Sequence, residues 1–249
     1  MKLTIKIAFS SLTFLLLVTL ASAQASAPLP SAEDVVAKMM RFDAQRQSEL
    51  TGYTATRRYV AVNKKRRAEM LVRVSCDGNG AKQLSVVSEE GSSAIRKHVF
   101  QKLLSEETEA SRRGTRNGTR LTPANYDFRV AGKEALQTGP AYVLEVAPKT
   151  PNKYLITGKI WVDATDYSIV RIEGQPARNP SFWVRNVHFV HTYQKVGQFW
   201  VASSTDTTSQ VRIFGDSELT IENVDYKLNP PDKSNTTSIQ LHSEARLAQ

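Results

Sequence analysis

Cysteine is nearly absent from this chain. Cys76 is the only one in 249 residues, so no disulfide can form within the molecule. A secreted eukaryotic domain of this size more often carries paired cysteines, and the lack of pairs favours a bacterial periplasm. Cys76 lies in a predicted strand with no histidine motif near it in sequence. We interpret it as a small strand residue, with a reactive thiol as the less favoured alternative.

Recognisable catalytic motifs are also missing. The chain has no Gly-x-Ser-x-Gly elbow, no phosphate-binding glycine loop and no Cys/His nucleophile context. His188 and His191 lie three apart on a predicted strand and should point to opposite faces, which argues against a shared metal ion. Asp163 and Asp166 flank a turn that aspartate favours, so they are interpreted as turn residues. We therefore predict a protein that is not an enzyme and needs no cofactor or metal.

Only one stretch is long and apolar, and it lies at the N-terminus. Lys2 and Lys6 precede the largely apolar run Ile7–Leu20, and Ala21-Ser22-Ala23 is a small-residue cleavage pattern. A membrane anchor is the alternative, but the run is shorter than the ~20 residues of a spanning helix. We predict a signal peptide at residues 1–23, cleavage near Ala23 and a soluble periplasmic product.

Positive charge is in excess, with a formal net charge of +9. Such an excess can indicate nucleic-acid binding. However, the basic residues are dispersed and accompany no nucleic-acid motif, so no nucleic-acid partner is predicted. The densest run is Lys64, Lys65, Arg66 and Arg67, at a predicted hairpin turn. It is either a solvated turn or a docking site for lipid headgroups or an acidic partner.

Two segments have helical spacing. After a flexible lead at residues 24–30, Ser31 is a candidate N-cap for an amphipathic helix of about 18 residues ending near Leu50. A second helix is predicted from Ser93 to about Arg113, with Glu106, Glu107 and Glu109 on its exposed side.

The remaining segments alternate with a period of two and are joined by short turns, of which Asp77-Gly78-Asn79-Gly80 is the clearest. Two helices are too few for βαβ units, so the chain is predicted to be mainly β, an antiparallel meander of 10–11 strands. The predicted strands are Tyr53–Val62, Ala68–Cys76, Lys82–Ser88, Tyr126–Leu136, Tyr142–Val146, Leu155–Val162, Ser168–Glu173, Phe182–Tyr193, Gln198–Ser203, Thr207–Phe214 and Leu219–Tyr226. One domain is expected at residues 31–228, followed by a flexible tail at residues 229–249.

Several predicted strands carry bulky residues on both sides. In Phe182–Tyr193, for example, Phe182 and Val190 alternate with Trp183 and Phe189. A flat sheet with one solvent-exposed face would carry bulky apolar residues on the other face only. A sheet curved around apolar material accounts for bulky residues on both sides. That material is predicted to be the helices, a ligand or both.

The phrases AYVLEVAPK (141–149), GKIWVDATDYSIVRIEG (158–174), VGQFWVASST (196–205) and VRIFGDSELTIENVDY (211–226) resemble those of the LolA-like outer-membrane lipoprotein-sorting group. The resemblance spans roughly residues 31–226. It implies an incomplete antiparallel β-barrel whose concave face is covered by two or three helices. It also implies that acyl chains enter between this helical lid and the sheet.

The function implied by the resemblance is that of a monomeric periplasmic carrier. It would bind the acyl chains of a lipoprotein or lipid and pass them from an inner-membrane donor to an outer-membrane acceptor. An RseB-like, lipid-responsive sensor of a membrane partner is the alternative. Each buried methylene contributes about 0.8 kcal/mol without needing hydrogen bonds, so no sharp sequence motif is expected. From strand alternation, the candidate lining residues are Val72, Val74, Tyr142, Leu144, Val146, Ile160 and Val162.

Overall fold

The computed structural model describes residues 28–112, 118–212 and 215–229. The predicted signal peptide and most of the predicted lead and tail lie outside these residues. Helix α1 spans Ala32–Glu49, and helix α2 runs from Ser93–Ile95 through a π-helical turn, Arg96–Phe100, to Gln101–Ser111. The strands are β1 Gly52–Asn63, β2 Arg67–Asp77, β3 Lys82–Gly91, β4 Tyr126–Leu136, β5 Gly139–Pro148, β6 Ile156–Asp163, β7 Ile169–Pro176, β8 Val184–Val196, β9 Phe199–Val211 and β10 Gly215–Asn229.

The ten strands form one antiparallel sheet in the order β3-β2-β1-β10-β9-β8-β7-β6-β5-β4. Consecutive strands pair as hairpins except β3 and β4, which are separated in the chain by α2, and the last strand, β10, returns to pair with β1. Strands β3 and β4 remain as the two edges, so the sheet does not close on itself. The predicted fold class, mainly β with an incomplete barrel and two helices, is confirmed.

One predicted break in the sheet is wrong. Gln198–Ser203 and Thr207–Phe214 are predicted as separate strands, with Ser204, Thr205 and Asp206 between them. Instead β9 is continuous across them. These residues pair with β8 on one side and β10 on the other, so the hydrogen-bond ladder holds them in the strand. Strand pairing thus outweighs the low strand propensity of Asp206.

Two facing glycines bend the sheet between β6 and β7. Gly158 and Gly174 are directly paired. A Cβ added to Gly158 would lie 2.1 Å from the carbonyl oxygen of Glu173, and one on Gly174 would lie 2.4 Å from that of Thr157. Only glycine permits this approach, which is typical of the tight bends of barrels. Register shifts in five strand pairs add further curvature.

Both helices cover the same face of the sheet, which we call the inner face. This follows from the register, because directly opposed residues on neighbouring strands share a face. One such row runs from β2 to β5 through Met70, Tyr59, Ile221, Thr205, His191, Ile172, Ile160 and Leu144. Its β2 end lies in the core under α2 and its β5 end in the core under α1.

Helix α1 begins as predicted. The hydroxyl of Ser31 accepts a hydrogen bond from the Asp34 N–H at 3.0 Å. Val35, Val36 and Met39 are buried and pack on the inner face of β4–β6. This cluster forms one of the two inner cores.

Helix α2 forms the second inner core, over β1 and β2. Ile95 and Phe100 are its buried anchors, and the Phe100 ring contacts Tyr59 at a centroid distance of 6.1 Å. A third, smaller cluster, which includes Trp161, lies on the opposite, outer face of β5–β7. Across the described ranges, no helix is long and apolar enough to cross a bilayer.

Candidate functional site

The seven predicted lining residues all lie on the inner face, but in two separate places. Leu144, Val146, Ile160 and Val162 belong to the core under α1, and Tyr142 packs against its edge. Val72 and Val74 belong to the core under α2. Side chains of the helices occupy the space above both groups. Contact with an acyl chain therefore requires a helix to move, and it stays a prediction.

Open space lies beside α1, over β7–β9. One cavity of about 260 Å³ is lined by Met39, Leu121 and Ile169, together with Tyr193 and Trp200. A second cavity of about 420 Å³ lies beyond Tyr193 and Trp200 and reaches the β6–β7 turn. Because the two cavities share these aromatic walls, we treat them as one feature, the central groove. Its size is comparable to small-molecule sites of roughly 300–1,000 Å³.

Polar contacts tie α1 to the rim of the groove. Lys38 Nζ donates to the Tyr167 hydroxyl at 3.1 Å, and Arg46 donates to the Asp166 carbonyl at 3.3 Å. Arg120 pairs with Asp43 at 2.6 Å. These contacts are exposed or half-buried, and such pairs each contribute at most about 1 kcal/mol. The apolar side chains of α1 therefore hold it down more strongly than its polar ties do.

The β6–β7 turn fixes one wall of the groove. The predicted turn role of Asp163 and Asp166 is confirmed, because Asp163 Oδ1 accepts the N–H groups of residues 165 and 166, and Asp166 Oδ1 accepts that of Ser168. Asp166 Oδ2 also accepts the indole N–H of Trp200 at 2.8 Å. Burial opposes ionisation of Asp166, but bonds from Trp200, Ser168 and Lys195 outweigh it and lower its pKa. The carboxylate thus holds Trp200 in position.

A half-buried ion cluster joins α2 to the sheet. Glu107 Oε2 lies 2.5 Å from Arg57 Nη1, and Glu107 Oε1 lies 2.8 Å from Lys82 Nζ. Arg57 is buried and also donates to Asn223 Oδ1 at 2.7 Å. The predicted exposure of Glu107 is therefore wrong. The exposure of Glu107 was predicted from its charge. In the structure, Arg57 and Lys82 on the inner face bind this carboxylate, so the side chain of Glu107 points from α2 toward the sheet.

Sequence signals for this cluster existed. Arg57 sits at the inner position of a period-two row with Ala55, Tyr59 and Ala61, where a lone charge calls for a buried partner. Glu107 continues the apolar four-residue spacing from Ile95 through Val99 and Leu103.

The two candidate histidines face opposite ways, as predicted. His188 is exposed, 3.5 Å from Glu173, while His191 is half-buried and hydrogen-bonded to the Thr205 hydroxyl at 2.5 Å. Among residues 28–112, 118–212 and 215–229, no three histidine, cysteine or acidic side chains converge on a metal position.

The basic run lies where the sequence predicted. Lys64, Lys65, Arg66 and Arg67 are exposed at the β1–β2 turn, which Asn63 Oδ1 closes by accepting two backbone N–H groups. Arg67 reaches Glu69 at 3.5 Å. Docking through this run stays a prediction.

Neither a protein-family model nor a curated protein matches the chain. Solved structures do match. A DUF1329 family protein from Desulfovibrio piger is 11% identical over 80% of this chain and 93% of its own, with a TM-score of 0.45. An outer membrane lipoprotein-sorting protein domain from Vibrio parahaemolyticus is 14% identical over 84% and 98%, with a TM-score of 0.44. A LolA superfamily protein from Nitrosomonas europaea is 10% identical over 83% and 97%, with a TM-score of 0.39.

The second and third of these structures carry the names of the group that the strand phrases resemble.

Two side chains of the inner face make the fold sensitive to acid. Burial opposes ionisation of Glu107, but the charges of Lys82 and Arg57 outweigh it and lower its pKa to about 2. Burial, together with the same two cations, lowers the pKa of His191 from 6.5 to about 4. At neutral pH, Glu107 is therefore ionised and His191 is uncharged.

Stability is expected to fall from pH 6.5 downwards. On acidification, His191 is protonated near pH 6.5 in the unfolded chain but only near pH 4 in the folded protein. Its contribution to the free energy of unfolding is therefore lost between pH 6.5 and 4. The Glu107 contribution is lost between pH 4.5 and 2. Each of these two contributions to the free energy of unfolding is about 3 kcal/mol. Urea unfolding at pH 7, 5.5 and 4 measures this, and in His191→Gln the decrease above pH 4 should largely disappear. An unchanged decrease in that variant would rule out His191 as its source.

Proposed function

We propose that this protein is a periplasmic carrier that holds the acyl chains of a lipoprotein or lipid against the inner face of its half-barrel and delivers them toward the outer membrane. The observation that supports this most is the position of the central groove. It lies directly beside the apolar core under α1, so that displacing this helix would join Leu144, Val146, Ile160 and Val162 to the groove.

The energies of such an exchange are close to balanced. Helix α1 buries Val35, Val36 and Met39, each worth about 1.5–3 kcal/mol, so uncovering them costs on the order of 5–9 kcal/mol. Burying an acyl chain of roughly 16 carbons gains on the order of 10 kcal/mol before ordering costs. A ligand can therefore replace the helix, and the helix can return when the ligand leaves.

The proposed role includes no catalysis. Two bonded acid–base groups of the inner face are Glu107 with its two cations and His191 with Thr205. Proton transfer at neutral pH is most effective when the pKa of the group lies near the working pH. The pKa values of Glu107 and His191, about 2 and about 4, lie well below neutrality. These groups suit a structural role.

The test uses Trp200, which lines both cavities. The chain has three tryptophans, so Trp161→Phe/Trp183→Phe leaves Trp200 as the only one. A brominated fatty acid should quench most of its emission. In the matched variant Trp183→Phe/Trp200→Phe, the remaining Trp161 belongs to an outer-face cluster against which Trp200 packs, but it lines neither cavity, and it should be quenched less than Trp200. Mass spectrometry of organic extracts of the periplasmic protein should then identify the acyl species carried.

Two results would contradict the proposal. One is equal quenching of Trp161 and Trp200, and the other is protein recovered free of lipid that binds no brominated acid. If lipid binds but crosslinking captures a membrane signalling protein in place of a donor or acceptor, the sensor alternative replaces the carrier.

A further inference from the structure

Two aromatic side chains are exposed together just before β8. Phe182 is 64% exposed and Trp183 is 53% exposed. Their rings meet edge to face at a centroid distance of 5.4 Å. The Arg212 guanidinium lies 4.0 Å from the Phe182 ring centroid, and the Arg212 N–H donates to the Trp183 carbonyl at 2.9 Å. The pair is thus fixed against the end of β9, and it remains in contact with solvent.

The basic β1–β2 turn lies at the same end of the sheet. Val184 on β8 pairs with Val211 on β9, which in turn pairs with Gly215 at the start of β10. Ser217 on β10 pairs with Asn63 at the end of β1. The aromatic pair and the basic turn are therefore three strand spacings apart, or about 14 Å. We call this region the aromatic-basic end.

Positive charge predominates at the aromatic-basic end. Residues 64–67, 177–185, 211–212 and 215–218 contain seven lysines and arginines and two acidic residues, Asp216 and Glu218. Exposed tryptophan beside lysine and arginine suits the interface of a bilayer, where the indole lies among headgroups. Lysine and arginine near the surface are attracted to anionic lipid. Two rings alone offer too little apolar area for a stable protein interface.

We propose that the aromatic-basic end docks on the surface of a bilayer that contains anionic lipid. Phe182 and Trp183 enter the headgroup region, and Lys64–Arg67 with Arg212 face the lipid phosphates. This inference goes beyond the carrier function. The docking surface is the aromatic-basic end, and docking there does not depend on whether the central groove binds an acyl chain.

The test compares two exposed apolar pairs. Phe182→Ser/Trp183→Ser removes the aromatic pair, and Val86→Ser/Val87→Ser removes residues on β3 that are 48% and 57% exposed. Flotation with vesicles of phosphatidylglycerol and phosphatidylcholine should show roughly tenfold weaker binding of the first variant and unchanged binding of the second. Binding should fall further when phosphatidylglycerol is omitted or salt is raised.

Both variants and the parent share every other residue, so vesicle binding by the rest of the chain is common to all three. Thermal melts should match, because neither pair belongs to the buried cores. Equal binding of all three proteins would overturn the proposal, as would parent binding that is independent of phosphatidylglycerol. If the aromatic variant instead loses a protein partner while vesicle binding is unchanged, this end is a protein interface and the proposal fails.

Discussion

Replacing Glu107 with alanine is expected to lower the free energy of unfolding by about 3–5 kcal/mol, since it leaves the buried Arg57 guanidinium without its carboxylate. Lys82 is less affected because its side chain is 27% exposed and can turn to water. Urea denaturation at pH 7 measures the loss. The expected value is a large part of the 5–15 kcal/mol typical of a whole domain.

The neighbouring residue provides the control for this substitution. Glu106 is on the same helix but more exposed, and its contacts to Lys153 and Lys102 are long, at 3.8 Å and 4.0 Å. Glu106→Ala should cost less than about 1 kcal/mol. Adding Arg57→Met to Glu107→Ala should recover part of the stability, because no unpaired charge then remains buried at Arg57. Equal losses for Glu106→Ala and Glu107→Ala would mean that the ion cluster does not hold α2 to the sheet.

The sequence predicted most of the fold because the controlling signals are local. Strand alternation, the Asp77–Gly80 turn and the Ser31 cap act between residues close in the chain. Sheet order and the face covered by the helices are long-range properties. The order followed from the predicted meander, but the pairing of β10 with β1 had no local signal.

The candidate site was only partly predictable. Alternation placed all seven lining residues on one face, yet it did not reveal that α1 and α2 divide this face into two cores. The walls of the central groove, Tyr193 and Trp200, come from strands whose polar and bulky residues hide the alternation. The bulge between Thr192 and Tyr193 also shifts the register at the groove. A bulge changes which residues share a face, so the period-two rule does not locate such a wall.

The wrong prediction for Glu107 concerned its exposure and came from its charge. Charged side chains are rarely buried without partners, so exposure was the natural expectation for Glu107. Its partners, Arg57 and Lys82, are 50 and 25 residues away in sequence. Only the paired register of β1, β2 and β3 brings the two cations under α2.

Replacing Gly158 with alanine is expected to destabilise the protein by about 3 kcal/mol or more, by opening the bend that makes the sheet a half-barrel. The new Cβ would lie 2.1 Å from the Glu173 carbonyl oxygen and 2.6 Å from the Gly174 Cα. Both are backbone atoms, so relief requires β6 and β7 to separate, and overpacking of this kind costs at least 1–3 kcal/mol. Urea unfolding measures the loss.

Gly132→Ala is the matched control, because Gly132 also lies in a strand but has open space around its Cβ position. Its effect should stay within about 1 kcal/mol, and the lower entropy of the unfolded chain could make it slightly stabilising. The bend also positions Ile160 and Ile172 beneath α1. Gly158→Ala should therefore weaken acyl-chain quenching of Trp200 under conditions where the variant is still folded. If Gly158→Ala and Gly132→Ala unfold at the same urea concentration as the parent, the glycine pair does not set the curvature, and the half-barrel must owe its shape to the bulges alone.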